Sequence, residues 1–385
     1  MKNNKILMLL DNSYTGDYRV ENEINALRNK GFFIHLICVE HSDFPKVEEA
    51  ENLKIERCIS KQIHSPLSKL WIKNEKKIIK KIIKTGIKNI HCHDYRTLPI
   101  GGKLKKSDKS FRIIFDSHEY LPGYPYYKRT SNFSNRIKGK IVWNYYLYRH
   151  NKYLKYADDI ISVSQSICNK FKDLTSKKAI LIRNIPPNSN KAQKGERYFN
   201  QKFNIPMDSK IIIHTGNTHF NIKRFSVLCD ITKNHSTNIH VVFIGSLNSI
   251  NVLKPYVKKN NLKHIHFHKG VPRDELTFYC SQADIGLVYF WNPDWESYNL
   301  AIPNKLMDTT LAGLPILATD QLELNLFNQK HRHMAMFNGD KINSLSESID
   351  YIINNYDKLK KNALKVSEEI SWEKESEKLI KLYTN

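Results

Sequence analysis

The sequence predicts an α/β protein made of two tandem domains, each built on a parallel, doubly wound sheet. The chain has 385 residues, more than one open α/β domain normally needs. Apolar strand-like runs alternate with helix-like stretches along most of its length, and this alternation is typical of βαβ units with parallel strands. Hydrophobic residues make up 41% and charged residues 26%, which favours a folded chain over a disordered one.

The first βαβ unit begins near the N-terminus. Residues 5–10 form a continuous apolar run, apolar residues then recur at helical spacing up to a stop at Gly31, and a second apolar run follows. Loops that follow the strands of a doubly wound sheet lie at a crevice along the carboxyl ends of those strands. We therefore expect the loop 11–19, with Asp17 and Arg19, to lie at a ligand-binding edge.

Changes in composition set the predicted domain limits. Residues 188–201 are polar and lysine-rich without any period, which is typical of a linker or surface loop. Strands are predicted at 5–10, 32–39, 87–92, 112–115, 160–163 and 181–185 before this segment and at 210–214, 240–245, 265–268, 285–289 and 315–318 after it. An N-terminal domain, a linker, a second α/β domain and a C-terminal helix are predicted at residues 1–187, 188–207, 208–368 and 369–385.

The chain is strongly basic, with 61 Lys and Arg against 38 Asp and Glu and a net charge of +23. This charge indicates a large anionic partner and leaves phosphates, a nucleic acid and an anionic membrane face open. An AT-rich genome would also raise the lysine content. The six cysteines include no C-x-x-C pair, and nowhere do 18 apolar residues run together. We expect a cytoplasmic protein with reduced cysteines.

Residues 124–156 interleave basic and aromatic side chains. A helix of this composition suits an anionic membrane interface. The same composition suits RNA binding, and an ordinary amphipathic helix with buried rings and solvated lysines explains it as well. The expected partners include peripheral contact with the anionic inner face of the cell membrane and exclude nucleic acid.

One long motif carries a family resemblance. Residues 299–318 read Asn-Leu-Ala-Ile-Pro-Asn-Lys-Leu-Met-Asp-Thr-Thr-Leu-Ala-Gly-Leu-Pro-Ile-Leu-Ala. The segment resembles the P-N-K-x-x-E-Y-x-x-A-G-x-P-V-I block of the retaining glycosyltransferases of family 4, particularly members that build bacterial surface polysaccharides. Weaker similarities follow the family's order along the chain: Asp17-Tyr-Arg19-Val with Glu21 or Glu23, His118 after a buried strand, and a terminal helix at Ser371-Trp372.

The resemblance implies the GT-B fold, in which two Rossmann-like domains enclose an interdomain cleft and a C-terminal helix crosses back to the N-terminal domain. It implies transfer of a sugar from a nucleoside diphosphate sugar, with a UDP-sugar expected, to a glycan or lipid-linked glycan. The implied pathway is surface polysaccharide biosynthesis of the capsule, O-antigen or teichoic type, with retention of configuration. Protein cations hold the diphosphate in such enzymes, so no cofactor and no obligatory metal are expected.

The loop 216–224 is a predicted phosphate site. It follows a strand, opens a helix and ends in Lys223 and Arg224, so a helix N-terminus and two cations would converge on phosphate oxygens. The family usually has an Arg directly after the Gly that corresponds to Gly216, whereas this chain has Asn217. Which of the two cations contacts the donor therefore stays open.

The P-N-K block supplies the other donor residues. Lys305 begins a helix and is the predicted phosphate cation. Asn304 and Asp308 lie one helical turn apart and face the same side. Asp308 takes the place of a family Glu that accepts the ribose hydroxyls, and the family's partner Glu is absent. Glu296 or Asn299 is a candidate for sugar contacts, and the base is expected near Gly270-Val271, after the strand 265–268.

The N-terminal candidates follow the strand 112–115. The resemblance places a donor-sugar-contacting His at His118, with a predicted catalytic role together with Lys305 and Asp116. Glu119 and His93 lie at neighbouring strand ends and complete the predicted N-terminal cleft set with Asp17 and Arg19. Adjacent residues of a strand point to opposite faces, so no metal site is predicted from His91, Cys92 and His93.

Two other function classes remain open. A GT-B relative that epimerises or hydrolyses a sugar nucleotide would consume donor without an acceptor. A basic polysaccharide- or nucleic-acid-binding protein would show steep salt dependence of binding and no affinity for sugar nucleotides. The second class explains neither the P-N-K block nor the crevice residues.

Overall fold

A computed structural model describes the chain at residues 4–129, 131–187, 197–216, 222–246 and 251–384. Contacts divide the chain into two compact units. The N-terminal unit is made of residues 1–183, 294–301 and 375–385, and the second unit of residues 184–293 and 302–374. Residues 294–301 therefore fold with the N-terminal unit, although the sequence placed them inside the second domain.

Each unit contains one sheet. The strands in the described residues are β1 (Lys5–Leu9), β2 (Phe33–Val39), β3 (Val47–Ala50), β4 (Leu53–Ile59), β5 (Asn89–His93), β6 (Arg112–Ser117), β7 (Asp159–Ser162), β8 (Ile180–Leu181), β9 (Lys210–Thr215), β10 (Ile239–Gly245), β11 (Ile265–Lys269), β12 (Ile285–Val288), β13 (Ile316–Thr319) and β14 (Met334–Phe337). Their orders are β3-β4-β2-β1-β5-β6-β7-β8 and β11-β10-β9-β12-β13-β14. All neighbours pair in parallel except β3 and β4, which are antiparallel.

Helices cover these parallel sheets. In the described residues they are α1 (Tyr18–Arg28), α2 (Lys69–Thr85), α3 (Asp94–Ser107), α4 (Phe133–Leu154), α5 (Gln165–Thr175), α6 (Tyr198–Phe203), α7 (Ile222–Lys233), α8 (Lys254–Lys259), α9 (Leu276–Ser281), α10 (Glu296–Leu300), α11 (Asn304–Leu311), α12 (Leu322–His331), α13 (Ile342–Asn354), α14 (Tyr356–Glu369) and α15 (Trp372–Thr384). Central strands such as β1 and β12 are almost wholly buried, as expected for parallel strands covered on both faces. Within the described ranges, every helix is too short or too polar to cross a lipid bilayer.

Two features of the N-terminal unit were absent from the sequence prediction. The β3–β4 hairpin lies at the edge of the sheet. Strand β3 is largely exposed and has no continuous apolar run, which was the criterion used to predict strands. Helix α3 contains Pro99, Gly101 and Gly102, residues that normally interrupt helices. A Cβ on Gly101 would lie 2.6 Å from Cys92 Sγ, so close packing of the helix on β5 explains the glycine.

The C-terminal helix α15 closes the N-terminal unit, as the resemblance implied. Leu379 is fully buried in it. The Tyr383 hydroxyl lies 2.8 Å from His91 Nδ1 on β5. Glu375 accepts a hydrogen bond from the backbone N–H of Arg183 just after β8. The last helix of the chain thus contacts two strands of the first sheet.

Candidate active site

A polar cluster lies at the carboxyl ends of β5 and β6 in the N-terminal unit, and His118 is at its centre. His118 Nδ1 is 3.1 Å from an Asp94 oxygen, and its Nε2 is 3.3 Å from Asp116 Oδ2. Burial by itself lowers the pKa of His118, but the two carboxylates outweigh that effect and raise the pKa well above its ordinary value. His118 is therefore an imidazolium whose two N–H groups face carboxylates.

Asp94 is held in an uncommon backbone conformation. Its φ of +62° lies in the left-handed region, which non-glycine residues occupy rarely. The side chain accepts a hydrogen bond from the backbone N–H of His118 and faces the imidazole as well. Such conformations persist where surrounding contacts over-determine them, and they often occur at functional sites. Asp94 thus fixes both the main chain and the ring of His118.

Asp116 is the most heavily contacted carboxylate of the cluster. Arg19 donates to it through Nε at 3.0 Å and through a terminal nitrogen at 2.8 Å, which is a forked, fully buried pair. Burial raises the pKa of Asp116, but Arg19 and His118 together lower it well below its ordinary value. His93 Nδ1 lies 3.4 Å from the same oxygen. The predicted residues Arg19, His93, Asp116 and His118 are therefore brought together.

Four buried residues of this cluster have metal-ligand spacing among the described residues: Glu23, His91, His93 and Asp116. The neighbouring cations already supply positive charge, because Arg19 contacts both carboxylates and His118 is protonated. Together with Asp94, three carboxylates face these two cations, and the pKa of Glu23 is raised well above its ordinary value by burial and by Asp116. Burial and the Asp116 carboxylate thus favour the neutral form of Glu23.

The other two predicted N-terminal residues lie outside this cluster. Asp17 caps α1, because its side chain accepts from the backbone N–H of Val20, and it also accepts from the Asn12 amide. Glu119 is an exposed residue, but neighbouring groups partly desolvate its carboxyl. This desolvation and the Asp94 carboxylate raise the pKa of Glu119 to about 7.

A second polar cluster lies in the second unit, where β9 ends and α11 begins. Lys305 Nζ is 3.3 Å from His214 Nε2. Asp308, one turn further along α11, is 2% exposed and contacts Arg273 at 2.5 Å. Burial lowers the pKa of Lys305 to about 8, against the opposing effect of Asp308. Burial raises the pKa of Asp308 to about 6, which Arg273 and Lys305 partly offset.

The loop after β9 is only partly described. Gly216 has a φ of +92°, and Asn217 lies outside the described residues. Lys223 is exposed and lines a cavity of about 530 Å³ together with Arg224. Arg224 donates to the Trp291 carbonyl and forms an ion pair with Asp340 in the same unit.

The remaining donor candidates are dispersed. Asn304 is exposed and accepts a hydrogen bond from the Asn184 amide at 3.1 Å. Val271 follows β11 and is partly buried against the apolar core of the second unit. Asn299 is exposed on α10, which folds with the N-terminal unit, so it does not share a unit with Lys305.

The first unit can now be compared with known protein families. Residues 18–185 match the model of Glycosyltransferase Family 4. This part of the chain is similar to a glycosyltransferase domain of that family. The match contains the whole Arg19, Asp116 and His118 cluster, and no curated protein sequence matched the chain. The prediction that the chain is a glycosyltransferase enzyme is confirmed.

Solved structures extend the likeness to the whole chain and confirm the GT-B fold. A sucrose-phosphate synthase from Thermosynechococcus elongatus has a TM-score of 0.74 at 16% identity and covers 98% of both chains. Anabaena HepE in complex with UDP has a TM-score of 0.71 at 11% identity, over 98% of this chain and 99% of that one. A UDP-forming trehalose-phosphate synthase from Burkholderia xenovorans with glucose-6-phosphate has a TM-score of 0.68 at 9% identity, over 99% and 100%.

Sequence reasoning missed residues in both clusters. Asp94 follows the predicted strand 87–92, but nothing in a sequence shows its contact with His118. Arg273 and His214 were not considered. Both lie at or just beyond the carboxyl end of a predicted strand, and that position was the available signal.

The charges of the N-terminal cluster predict different losses of stability when its buried carboxyl groups, Asp116 and Glu23, are replaced by amides. Asp116→Asn removes the buried carboxylate that Arg19 and His118 share, so we expect the free energy of unfolding at pH 7 to fall by roughly 3–5 kcal/mol. Glu23→Gln replaces a protonated carboxyl with a neutral group, and a change within about 1 kcal/mol is expected. Urea unfolding followed by circular dichroism measures both. Equal losses in the two variants would show that Glu23 is ionised.

Proposed function

We propose that the chain transfers a sugar from a nucleoside diphosphate sugar, with UDP as the nucleotide, to a glycan or lipid-linked glycan. The observation that carries this proposal is the Lys305 cluster of the second unit. A partly buried ammonium with a lowered pKa lies at a strand end beside a buried carboxylate, which is the arrangement that a diphosphate and a ribose require. Support for UDP comes from HepE, whose structure contains UDP, and from the UDP-forming trehalose-phosphate synthase.

The chemistry assigned to each group follows from its charge. The bond between the anomeric carbon and the diphosphate breaks, and a bond from the acceptor oxygen to that carbon forms. Lys305 stabilises the negative charge that grows on the leaving diphosphate. His118, already protonated, donates to a sugar hydroxyl and serves neither as nucleophile nor as base. The acceptor proton then passes to a leaving phosphate oxygen, which is the route of a retaining front-face transfer.

We further propose that the acceptor belongs to surface polysaccharide assembly at the inner membrane face. Support comes from α4, whose exposed apolar residues Phe133, Ile137 and Ile141 recur every four residues. Exposed Arg136, Lys138 and Lys140 lie among them. An apolar stripe flanked by cations suits an anionic lipid interface, where a lipid-linked glycan would be presented.

A nucleotide screen with Lys305→Ala tests the donor assignment. We expect UDP to stabilise the wild-type protein selectively in calorimetry, and its affinity to fall as the pH rises through about 8, where Lys305 loses its proton. Lys305→Ala should lower kcat/KM for transfer, which corresponds to a rise of roughly 2–4 kcal/mol in the activation free energy. It should also abolish the pH dependence of UDP affinity.

Lys358→Ala is the matched control, because Lys358 is an exposed lysine of the second unit. It should behave as wild type. No response to any nucleotide, together with steeply salt-dependent RNA binding, would instead support the nucleic-acid-binding alternative. Donor consumption that yields a new sugar without acceptor would support an epimerase or hydrolase.

Metal removal tests the proposal that protein cations alone hold the diphosphate. We expect EDTA to leave the initial rate of UDP release with acceptor unchanged, because Lys305 occupies the role of a divalent cation. Adding Mg²⁺ or Mn²⁺ after dialysis should give no increase. A rate that disappears in EDTA and returns with one of these ions would contradict the proposal.

Vesicle binding tests the membrane assignment. Replacing Phe133, Ile137 and Ile141 together with Ser should reduce co-sedimentation with phosphatidylglycerol-containing vesicles roughly tenfold, because three exposed apolar groups are lost. The control replaces Leu322 and Leu326, which are exposed at the same spacing on the second unit. Equal binding by all three proteins would remove α4 from the membrane contact.

A further inference from the structure

Arg273 and Asp308 form a close ion pair in the second unit. Arg273 opens a short 3₁₀ turn a few residues after β11, and Asp308 lies in the middle of α11. A terminal nitrogen of Arg273 is 2.5 Å from Asp308 Oδ1, and the side chains are 18% and 3% exposed. The pair joins the loop predicted to hold the base with the helix predicted to hold the phosphate and the ribose.

The surroundings of Asp308 make its charge depend on this partner. Burial favours the neutral acid, and Arg273 is the largest influence that opposes it, followed by Lys305 on the same helix. The other titratable neighbour is the Cys280 thiol of α9, whose pKa is raised well above its ordinary value, so it carries no charge near neutrality. Lys305 itself loses its proton near pH 8 and faces His214. Arg273 is thus the one permanent cation beside Asp308 among the described residues.

We propose that Arg273 is a positioning residue for nucleotide recognition, which keeps Asp308 ionised and oriented to accept the ribose 2′ and 3′ hydroxyls. This inference rests on the proposed function, since it concerns the same nucleotide site. A carboxylate accepts from both hydroxyls of a ribose, whereas a carboxylic acid must use one oxygen as a donor. Discrimination between ribose and 2′-deoxyribose therefore depends on Arg273, although the residue need not contact the sugar.

The shape of the guanidinium explains why an Arg fills this place. Its planar fork presents several N–H groups, and the shortest contact of Arg273 with Asp308 is to Oδ1. If the ion pair were purely structural, it would stabilise the second unit and leave the preference for ribose over 2′-deoxyribose unchanged. The ratio of the affinities for UDP and 2′-deoxy-UDP distinguishes a positioning role from a purely structural one. Both nucleotides bind the same folded protein, so a smaller folded fraction lowers both affinities equally and leaves their ratio unchanged.

The experiment measures affinities for UDP and 2′-deoxy-UDP by calorimetry between pH 5.5 and 9. We expect the wild-type protein to prefer UDP by roughly 10-fold or more at pH 7.5, the effect of one hydrogen bond to a charged acceptor. Arg273→Met should reduce this preference to about twofold at pH 7 and recover it as the pH rises, because Asp308 then ionises without help. Arg273→Lys keeps a positive charge without the planar fork, so its preference should lie between those of Arg273→Met and the wild-type protein.

Arg197→Met is the control, because Arg197 lies in the same unit and donates only to the Met207 carbonyl in the described contacts. It should leave the ratio at its wild-type value. An unchanged ratio in Arg273→Met at every pH would overturn the inference and leave the nucleotide assignment intact. Failure of the wild-type protein to bind either nucleotide would overturn the proposed UDP site itself, and the inference with it.

Discussion

The forked ion pair between Arg19 and Asp116 is the interaction on which the N-terminal unit depends most. Both side chains are buried, so neither charge can be solvated by water. Arg19 begins α1, Asp116 lies near the end of β6, and a further nitrogen of Arg19 donates to the Ile182 carbonyl after β8. One guanidinium thus joins a helix and two strand ends. It also leaves Asp116 ionised for His118.

The second unit handles buried charge in the opposite way. Among its described residues, Lys305 has no carboxylate within ion-pair distance, because Arg273 takes the nearest one. Its ammonium therefore keeps positive potential directed at the strand ends, at the cost of a lowered pKa. A cation that is desolvated before the ligand arrives needs little reorganisation when negative charge develops. In the first unit, buried cations and carboxylates pair with one another. In the second unit, the Lys305 ammonium has no such partner among the described residues and can pair with an anionic ligand.

The sequence predicted these arrangements unevenly. Continuous apolar runs revealed the central strands, since parallel strands covered on both faces have no polar alternation. The same criterion failed for β3, which is an exposed edge strand, and local propensity failed for α3, where glycines pack against β5. Asp116, His118 and Lys305 could be placed because strand ends and helix starts converge in this fold. Partners such as Asp94 and Arg273 could not, because side-chain pairing depends on tertiary geometry.

The contacts of His118 and the pKa of Lys305 limit which groups can accept a proton during the proposed transfer. His118 lies between Asp94 and Asp116, which favour its protonated form, and a protonated imidazole can only donate. Lys305 is largely protonated below about pH 8 and likewise offers no base at neutral pH. A hydroxyl that attacks the donor must lose its proton to another group, and the leaving phosphate is the strongest base that the reaction itself generates. Neither His118 nor Lys305 therefore supplies the base for the proposed transfer at neutral pH.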